Sequence, residues 1–334
     1  MSETGNINHF CTLFDSNYLS RGITMYRSLA DTGADFHLYV FAFDETCKQF
    51  LQQAQLPNLT VVSLPEFEDD ELLRVKPGRT RAEYCWTSTS STILYCIEKF
   101  KLPACTYLDA DMYFYADPAV LIGEMGSHSV MITEHRYTPR YNKTALSGKY
   151  CVQFVTFKND ERGLTALRWW RNACLEWCYN RHEDGKFGDQ KYLDDWTTRF
   201  EGVHVLQHLG GGLALWNIQQ YSVSEKNGQL VCTEISTGKT FAPVFYHFHY
   251  LKYYNNGFVE LGRRTITPGV LAHFYIPYLK KMEDTKTWVA QHDNRFDPHG
   301  AQVMPSGIKQ ALLKIYRKMQ NVYHIYNLKK LLKA

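Results

Sequence analysis

The chain has 334 residues, 45% of them hydrophobic and 15% aromatic, with 37 lysines and arginines against 34 aspartates and glutamates. That length is long for one simple domain and short for two full ones, so one elaborated domain is expected, and the apolar content excludes general disorder. A formal charge of +3 is too small to point to nucleic acid, and none is expected as a partner.

Met1 to His9 is polar, carries Glu3 and lacks a basic stretch followed by an apolar one, so a secretory signal is not expected. No uncharged apolar run approaches the roughly 20 residues that cross a bilayer. The nine cysteines are odd in number and scattered, without a CxxC pair. That usage suits a reducing cytosol better than a disulfide framework or a zinc knuckle, and the expected location is cytoplasmic.

In chain order, His9–Phe14 reads as a strand ending at Asp15, and Leu19–Leu29 as the helix that follows. Phe36–Phe43 and Leu59–Leu64 are further strands, and Glu83–Phe100 has helical length despite its Thr/Ser run from Thr87 to Thr92. Cys105–Leu108 is a short buried strand ending at Asp109, and Val130–Thr133 is another. Strands alternating with helices imply βαβ units and a mostly parallel sheet covered on both faces. In such sheets ligands bind beyond the carboxyl ends of the strands, where Asp15 and Asp109 both fall. The sequence has no GxGxxG opening the first helix, which argues against a dinucleotide dehydrogenase, and no Walker-type phosphate loop, which excludes a P-loop NTPase.

The second half is less regular. Tyr150–Phe157 alternates like a strand, and Arg162–Tyr179 reads as an amphipathic helix whose Leu164, Leu167, Trp170, Cys174 and Cys178 form a core stripe. Gly210–Gly212 is a loop, and Val244–Tyr250 a strand with histidines at alternate positions.

Four groups of residues can carry chemistry. Asp109-Ala110-Asp111 sets two carboxylates two residues apart at a strand end, where both can reach one hard cation such as Mg²⁺ or Mn²⁺ bridging a diphosphate. A solvated turn whose aspartates cap the next segment is the alternative. His247 and His249, on alternate strand positions, point one way and favour Mn²⁺, with Lys252 close behind as a point charge for diphosphate. Asp189-Gln190 follows Gly188 and reads either as a helix N-cap or as a catalytic pair. Finally, Ile308–Ala334 carries seven lysines and arginines and no acidic residue, interleaved with apolar residues at helical spacing. It is either a helix lying on an anionic inner membrane surface or a basic face packing its apolar side on the domain.

Taken together these residues resemble family 8-type glycosyltransferases of the GT-A fold, the group of glycogenin and the bacterial lipooligosaccharide galactosyltransferases. The resemblance rests on Thr12-Leu13-Phe14-Asp15-Ser16-Asn17-Tyr18-Leu19, on Tyr107-Leu108-Asp109-Ala110-Asp111, on Asp189-Gln190 and on His247-Phe248-His249, in the expected order over most of residues 9–255. It implies an α/β, Rossmann-like GT-A domain over 1–300, with a mostly parallel central sheet, and the basic C-terminal helical segment read from its own residues follows over 301–334. The nucleotide-binding half would span about 1–135 and the acceptor and metal half about 136–300.

By position, the resemblance implies that Asp15 and Tyr18 meet the nucleotide of a UDP-sugar donor, with Asp109, Ala110 and Lys252 also at the donor. Asp109, Asp111 and His247 would hold Mn²⁺ or Mg²⁺, and Asp189 or Gln190 would lie near the anomeric carbon. Tyr250 stands where the family has glycine and Lys252 comes one residue early, so His249 competes with His247 for the metal. The implied reaction is transfer of a hexose, galactose first, with retention, to a glycan or glycolipid acceptor in bacterial surface polysaccharide synthesis. Arg79, Arg81, Glu134, His135 and Gln153 lie on segments able to line the acceptor pocket. The competing readings are a nucleotide-sugar binding protein without turnover and a phosphohydrolase using the DxD pair. The second normally carries that pair on its first strand.

Overall fold

The computed structural model describes residues 7–333. Its largest sheet uses β1 (Asn8–Phe14), β2 (Phe36–Ala42), β3 (Leu59–Ser63), β4 (Ala104–Leu108), β6 (Val130–Glu134), β7 (Tyr150–Lys158) and β8 (Val203–Val205), with β5 (Met112–Phe114) lying outside it. The seven strands run in the order β3-β2-β1-β4-β7-β6-β8. β7 is antiparallel to both of its neighbours, and the other pairings are parallel. Both faces are covered. Phe10 and Phe14 of β1 enter one core, Cys11 and Leu13 enter the other, and so the strand reads as an unbroken apolar run.

The first crossover shows how local sequence sets this geometry. Asp15 ends β1 by accepting the backbone N–H groups of Asn17 and Tyr18, which starts a short 3₁₀ turn leading into the Leu19–Asp31 helix. Gly22 lets that helix lie close on β1: a Cβ there would sit 2.3 Å from the Phe14 ring. The helix expected from Glu83 begins earlier, at Arg81, because Thr80 and Glu83 form a reciprocal capping box. Its Thr87–Thr92 run is entirely buried. Thr87 and Thr89 return their hydroxyls to the carbonyls of Glu83 and Cys85 one turn back, so small polar residues serve as close-packing surface.

Beyond β8, the strands β9 (Leu213–Ala214) and β13 (Phe245–His247) join β5 in a small sheet of order β5-β13-β9. Between them, β10 (Tyr221–Lys226), β11 (Gln229–Glu234) and β12 (Thr240–Phe241) form a meander. The strand expected over Val244–Tyr250 therefore stops at His247. Phe248 donates its N–H to the Asp111 carbonyl at 2.9 Å, Leu251 folds back on Phe248, and Tyr250 takes φ +74°. A third core lies under this half, around Tyr246, Phe248, Tyr275 and Tyr278.

The C-terminal stretch is helical over Ile308–Met319 and Leu328–Leu331 but not between them. There β16 (Ile325–Asn327) pairs with β15 (Phe258–Glu260), which also pairs with β14 (Lys252–Tyr253), and Leu328 and Leu331 enter the third core. Among the described residues, no helix is long and apolar enough to cross a membrane.

Candidate active site

The site is built where β4 ends. Asp109 donates its N–H to the Gln153 carbonyl of β7 at 3.1 Å, and Met112 donates to the Asp109 carbonyl at 3.3 Å, so the acidic pair sits in a turn between β4 and β5. β13 then pairs with β5 in a register that sets His247 opposite Met112, next to Asp111. The result is a contact between distant segments. His247 Nε2 lies 2.9 Å from Asp111 Oδ1 and 3.6 Å from Asp109 Oδ2. On its other side, His247 Nδ1 donates to Gln153 Oε1 at 2.6 Å, which fixes the ring with Nε2 toward the carboxylates. Gln153 is fully buried, and its amide nitrogen has no partner among the described residues.

These groups shape one another electrostatically. Burial works against charge on both partners, yet the Asp111 carboxylate holds His247 protonated, well above the usual imidazole range. Burial likewise opposes Asp111, but the His247 charge outweighs it and leaves Asp111 at about 2. Asp109 is pushed up to about 6, by desolvation first and by the Asp111 charge as well, with His247 pulling the other way. His249 is driven down to about 4 by burial and then by the neighbouring His247 charge. Ligand atoms of Asp111, His247 and His249 lie within 4.8 Å of one another. A divalent cation among them would replace the imidazolium proton as the positive charge beside the Asp111 carboxylate. Carboxylate oxygen with imidazole nitrogen is a donor set able to hold a divalent cation.

Tyr18 stands beside this cluster: the charges of Arg21, Asp111, Asp109 and Asp15 all act on its phenol. The Asp15 carboxylate both caps the turn and pairs with Arg81, which also binds Asp44 at 2.9 Å. Arg21, which no sequence motif marks, is buried. Its terminal nitrogens donate to the carbonyls of His299 (3.0 Å) and Leu251 (3.1 Å), and its guanidinium lies 4.3 Å from the Tyr18 ring. It thus contributes a buried positive charge that also acts on Asp111. An arginine within an amphipathic helix carries no local signal for this; the contacts come from far along the chain.

Asp189 does not act as a side-chain cap for the 3₁₀ turn Gln190–Asp195. Its carboxyl is buried and pushed up to about 7, by desolvation first and then by the charge of Asp109, so the fold brings the two acids near each other. Trp170, in the stripe read as core, donates its indole N–H to the Asp189 carbonyl at 2.9 Å and anchors this loop. Gln190 is turned elsewhere, its amide donating to the Ser147 carbonyl at 2.6 Å. Ala110 is buried between the two aspartates, and Lys252 is half-buried on β14, in register with Glu260.

Among the residues expected to line an acceptor pocket, Gln153 supports His247, and Arg79 lies over the Tyr179 ring with a nitrogen on the Leu175 carbonyl. Glu134 closes β6. His135 is buried, stacked on Tyr137, with Trp216 set edge-on to it. Trp216, also not singled out in the sequence, stands edge-on to both His247 and His249 and walls that side of the cluster.

This order of strands, with an acidic pair at the end of β4 and a small sheet delivering a histidine to it, is the GT-A fold. Among solved structures, the chain is similar to the galactosyltransferase LgtC bound to donor and acceptor sugar analogues, with a TM-score of 0.50 and 10% identity, covering 83% of this chain and 95% of that one. It is also similar to the bifunctional glycosyltransferase WbbM, with a TM-score of 0.50 and 12% identity, covering 88% of this chain and 52% of that one. At such identities the likeness is one of fold.

The sequence relationship is closer. The chain is 31% identical to the uncharacterized protein YfnD of Bacillus subtilis (strain 168) over 304 residues, 86% of this chain and 92% of that protein, and so belongs to the same family. YfnF of the same organism, also uncharacterized, is 28% identical over 299 residues, 86% of this chain and 95% of that protein. No family model matches the chain.

Proposed function

We propose that this chain is a metal-dependent glycosyltransferase. In this reading it moves a hexose, galactose first, from a UDP-sugar to a glycan or glycolipid acceptor, with retention, in bacterial surface polysaccharide synthesis of the O-antigen or lipopolysaccharide type. The observation that carries the reading is that His247 Nε2 reaches both Asp111 (2.9 Å) and Asp109 (3.6 Å) at the carboxyl end of β4, with His249 in the same close cluster as Asp111 and His247.

Asp109, Asp111 and His247 would hold Mn²⁺ or Mg²⁺, with His249 alongside. When bound, the ion supplies Lewis-acid stabilisation of the diphosphate leaving group. The protein's own residues do the rest. Tyr18 and Asp15 receive the nucleotide at the end of β1. Arg21, with Lys252 on the neighbouring segment, adds positive charge toward the diphosphate. Asp189, buried near Asp109, stabilises in its ionised form the positive charge that builds at the anomeric carbon as the sugar–phosphate bond breaks. The acceptor oxygen forms the new bond on the face the leaving group vacates, and its proton passes to the departing diphosphate oxygen. Gln190, committed to the Ser147 carbonyl, positions the loop that carries Asp189.

Incubating the protein with a series of UDP-sugars and Mn²⁺ and measuring UDP release tests turnover and identifies the donor together. Release that requires the metal and vanishes in Asp111→Ala is expected. UDP binding indifferent to EDTA would remove metal dependence from the proposal.

A further inference from the structure

The Ile308–Met319 helix is seated with its apolar side outward. Ile308, Leu312, Ile315 and Met319 are 83%, 63%, 58% and 79% exposed, and Tyr316 beside them is 60% exposed. At one residue per ~100° of helix these five fall within an arc of about 100°. The residues turned toward the domain are Gln310, Leu313 and Arg317, each only partly covered. The anchoring contacts are polar: Arg317 reaches Glu260 at 3.4 Å, and Arg140 reaches Gln320, just past the helix end, at 3.1 Å. A surface helix of a globular domain ordinarily turns its apolar stripe inward. Here the stripe is left for something outside the domain.

Charge identifies what that is. Lys309 borders the stripe on one side and Lys318 on the other, and both are exposed. Lys329, Lys330 and Lys333 add exposed positive charge after β16, and no acidic residue occurs from Ile308 to Ala334. At about 1.5 Å per residue the helix is only ~18 Å long, too short to span a bilayer. An isologous pairing of two such helices would set lysines against lysines, which disfavours a second copy of this chain as the partner.

We propose that the Ile308–Met319 helix docks into the interface of an anionic bilayer, its apolar stripe toward the acyl chains and its flanking lysines among the headgroups. This surface is separate from the transfer site and does not depend on the transfer reaction being the one proposed.

The test is cosedimentation of the full chain, without donor, with vesicles of phosphatidylcholine alone or mixed with phosphatidylglycerol. Wild-type protein is expected to bind the mixed vesicles, less well as salt is raised, and to leave the neutral ones largely unbound. Replacing Leu312, Ile315 and Met319 together with serine should lower partitioning about a hundredfold. The pair Lys309→Gln and Lys318→Gln should lower it about fivefold per lysine while leaving the apolar face intact. Circular dichroism of each variant checks that the helix is retained, and the lysine pair decides the matter should the serine variant unfold. Wild-type protein that stays in the supernatant with anionic vesicles overturns the proposal. So does light scattering that shows a dimer split by the serine substitutions, which would make the stripe a contact between chains. Because no sugar donor enters the assay, its failure would leave the transferase proposal untouched.

Discussion

His247 Nε2 and Asp111 Oδ1 stand 2.9 Å apart, held there by the antiparallel pairing of β13 with β5. The ring that makes this contact is clamped from behind by Gln153, so the histidine presents one nitrogen to the acidic pair and has no free rotation in which to lose it. The two histidines of the segment are not equivalent in this respect. His247 sits on the strand and faces both carboxylates, while His249 lies beyond the strand end and is kept uncharged by burial.

That asymmetry gives a first prediction. His247→Gln should weaken Mn²⁺ binding about a hundredfold or more, whereas His249→Gln should weaken it about tenfold or less. Titration of free Mn²⁺ by electron paramagnetic resonance measures both. Equal losses would assign the two rings equal roles.

Gln153 should behave as a positioning residue. Gln153→Leu removes the acceptor for His247 Nδ1–H together with the unpaired amide nitrogen, and is expected to cost about 10- to 100-fold in metal affinity. Gln153→Glu keeps an acceptor oxygen in place and should recover much of the loss. A Leu variant that binds metal as tightly as wild type would show that the His247 ring needs no support.

His135 supplies a pH dependence of stability. Burial, with a smaller contribution from the nearby His247 charge, lowers its pKa from 6.5 to about 3. The unfolded chain therefore binds a proton between those values that the folded protein refuses. The contribution is fully present above pH 6.5 and is lost as pH falls from there toward 3, at up to about 1.4 kcal/mol per pH unit. His135→Phe keeps a ring against Tyr137 but cannot titrate. Urea unfolding at several pH values should show wild type losing stability relative to this variant as pH drops. A constant gap would refute the assignment.

Gly22 is required by close approach rather than by its backbone angles. In Gly22→Ala the new methyl would lie 2.3 Å from the buried Phe14 ring, and overpacking of this kind costs about 1–3 kcal/mol. The midpoint of urea unfolding should fall accordingly. An unchanged midpoint would mean that the helix and β1 can separate without penalty.

Much of the fold was legible because its signals are local. Apolar runs bounded by Asp15 and Asp109 marked β1 and β4, and their common ending at the carboxyl edge of a parallel sheet placed both acids near one crevice. The less regular half was harder. Alternation suggested one strand through Tyr250, but the Phe248 N–H is taken by the Asp111 carbonyl and the chain turns there. The C-terminal periodicity was real for Ile308–Met319. Past it, Ile325–Asn327 joins a sheet edge that no local pattern announces.

The sequence by itself determined the chemistry available: a carboxylate pair at a strand end, histidines nearby in type but distant in position, and a basic, apolar C-terminal stretch. Tertiary structure decided which of these meet and in what state of charge. A strand register carries His247 to Asp111, a buried Gln153 orients it, Arg21 arrives with the first helix, and desolvation pushes Asp189 up to about 7. It also decided that the C-terminal helix turns its apolar stripe outward. Helical periodicity fixes which residues share a face, whereas the direction that face points is set by the polar contacts of Arg317 and Gln320 with the rest of the domain.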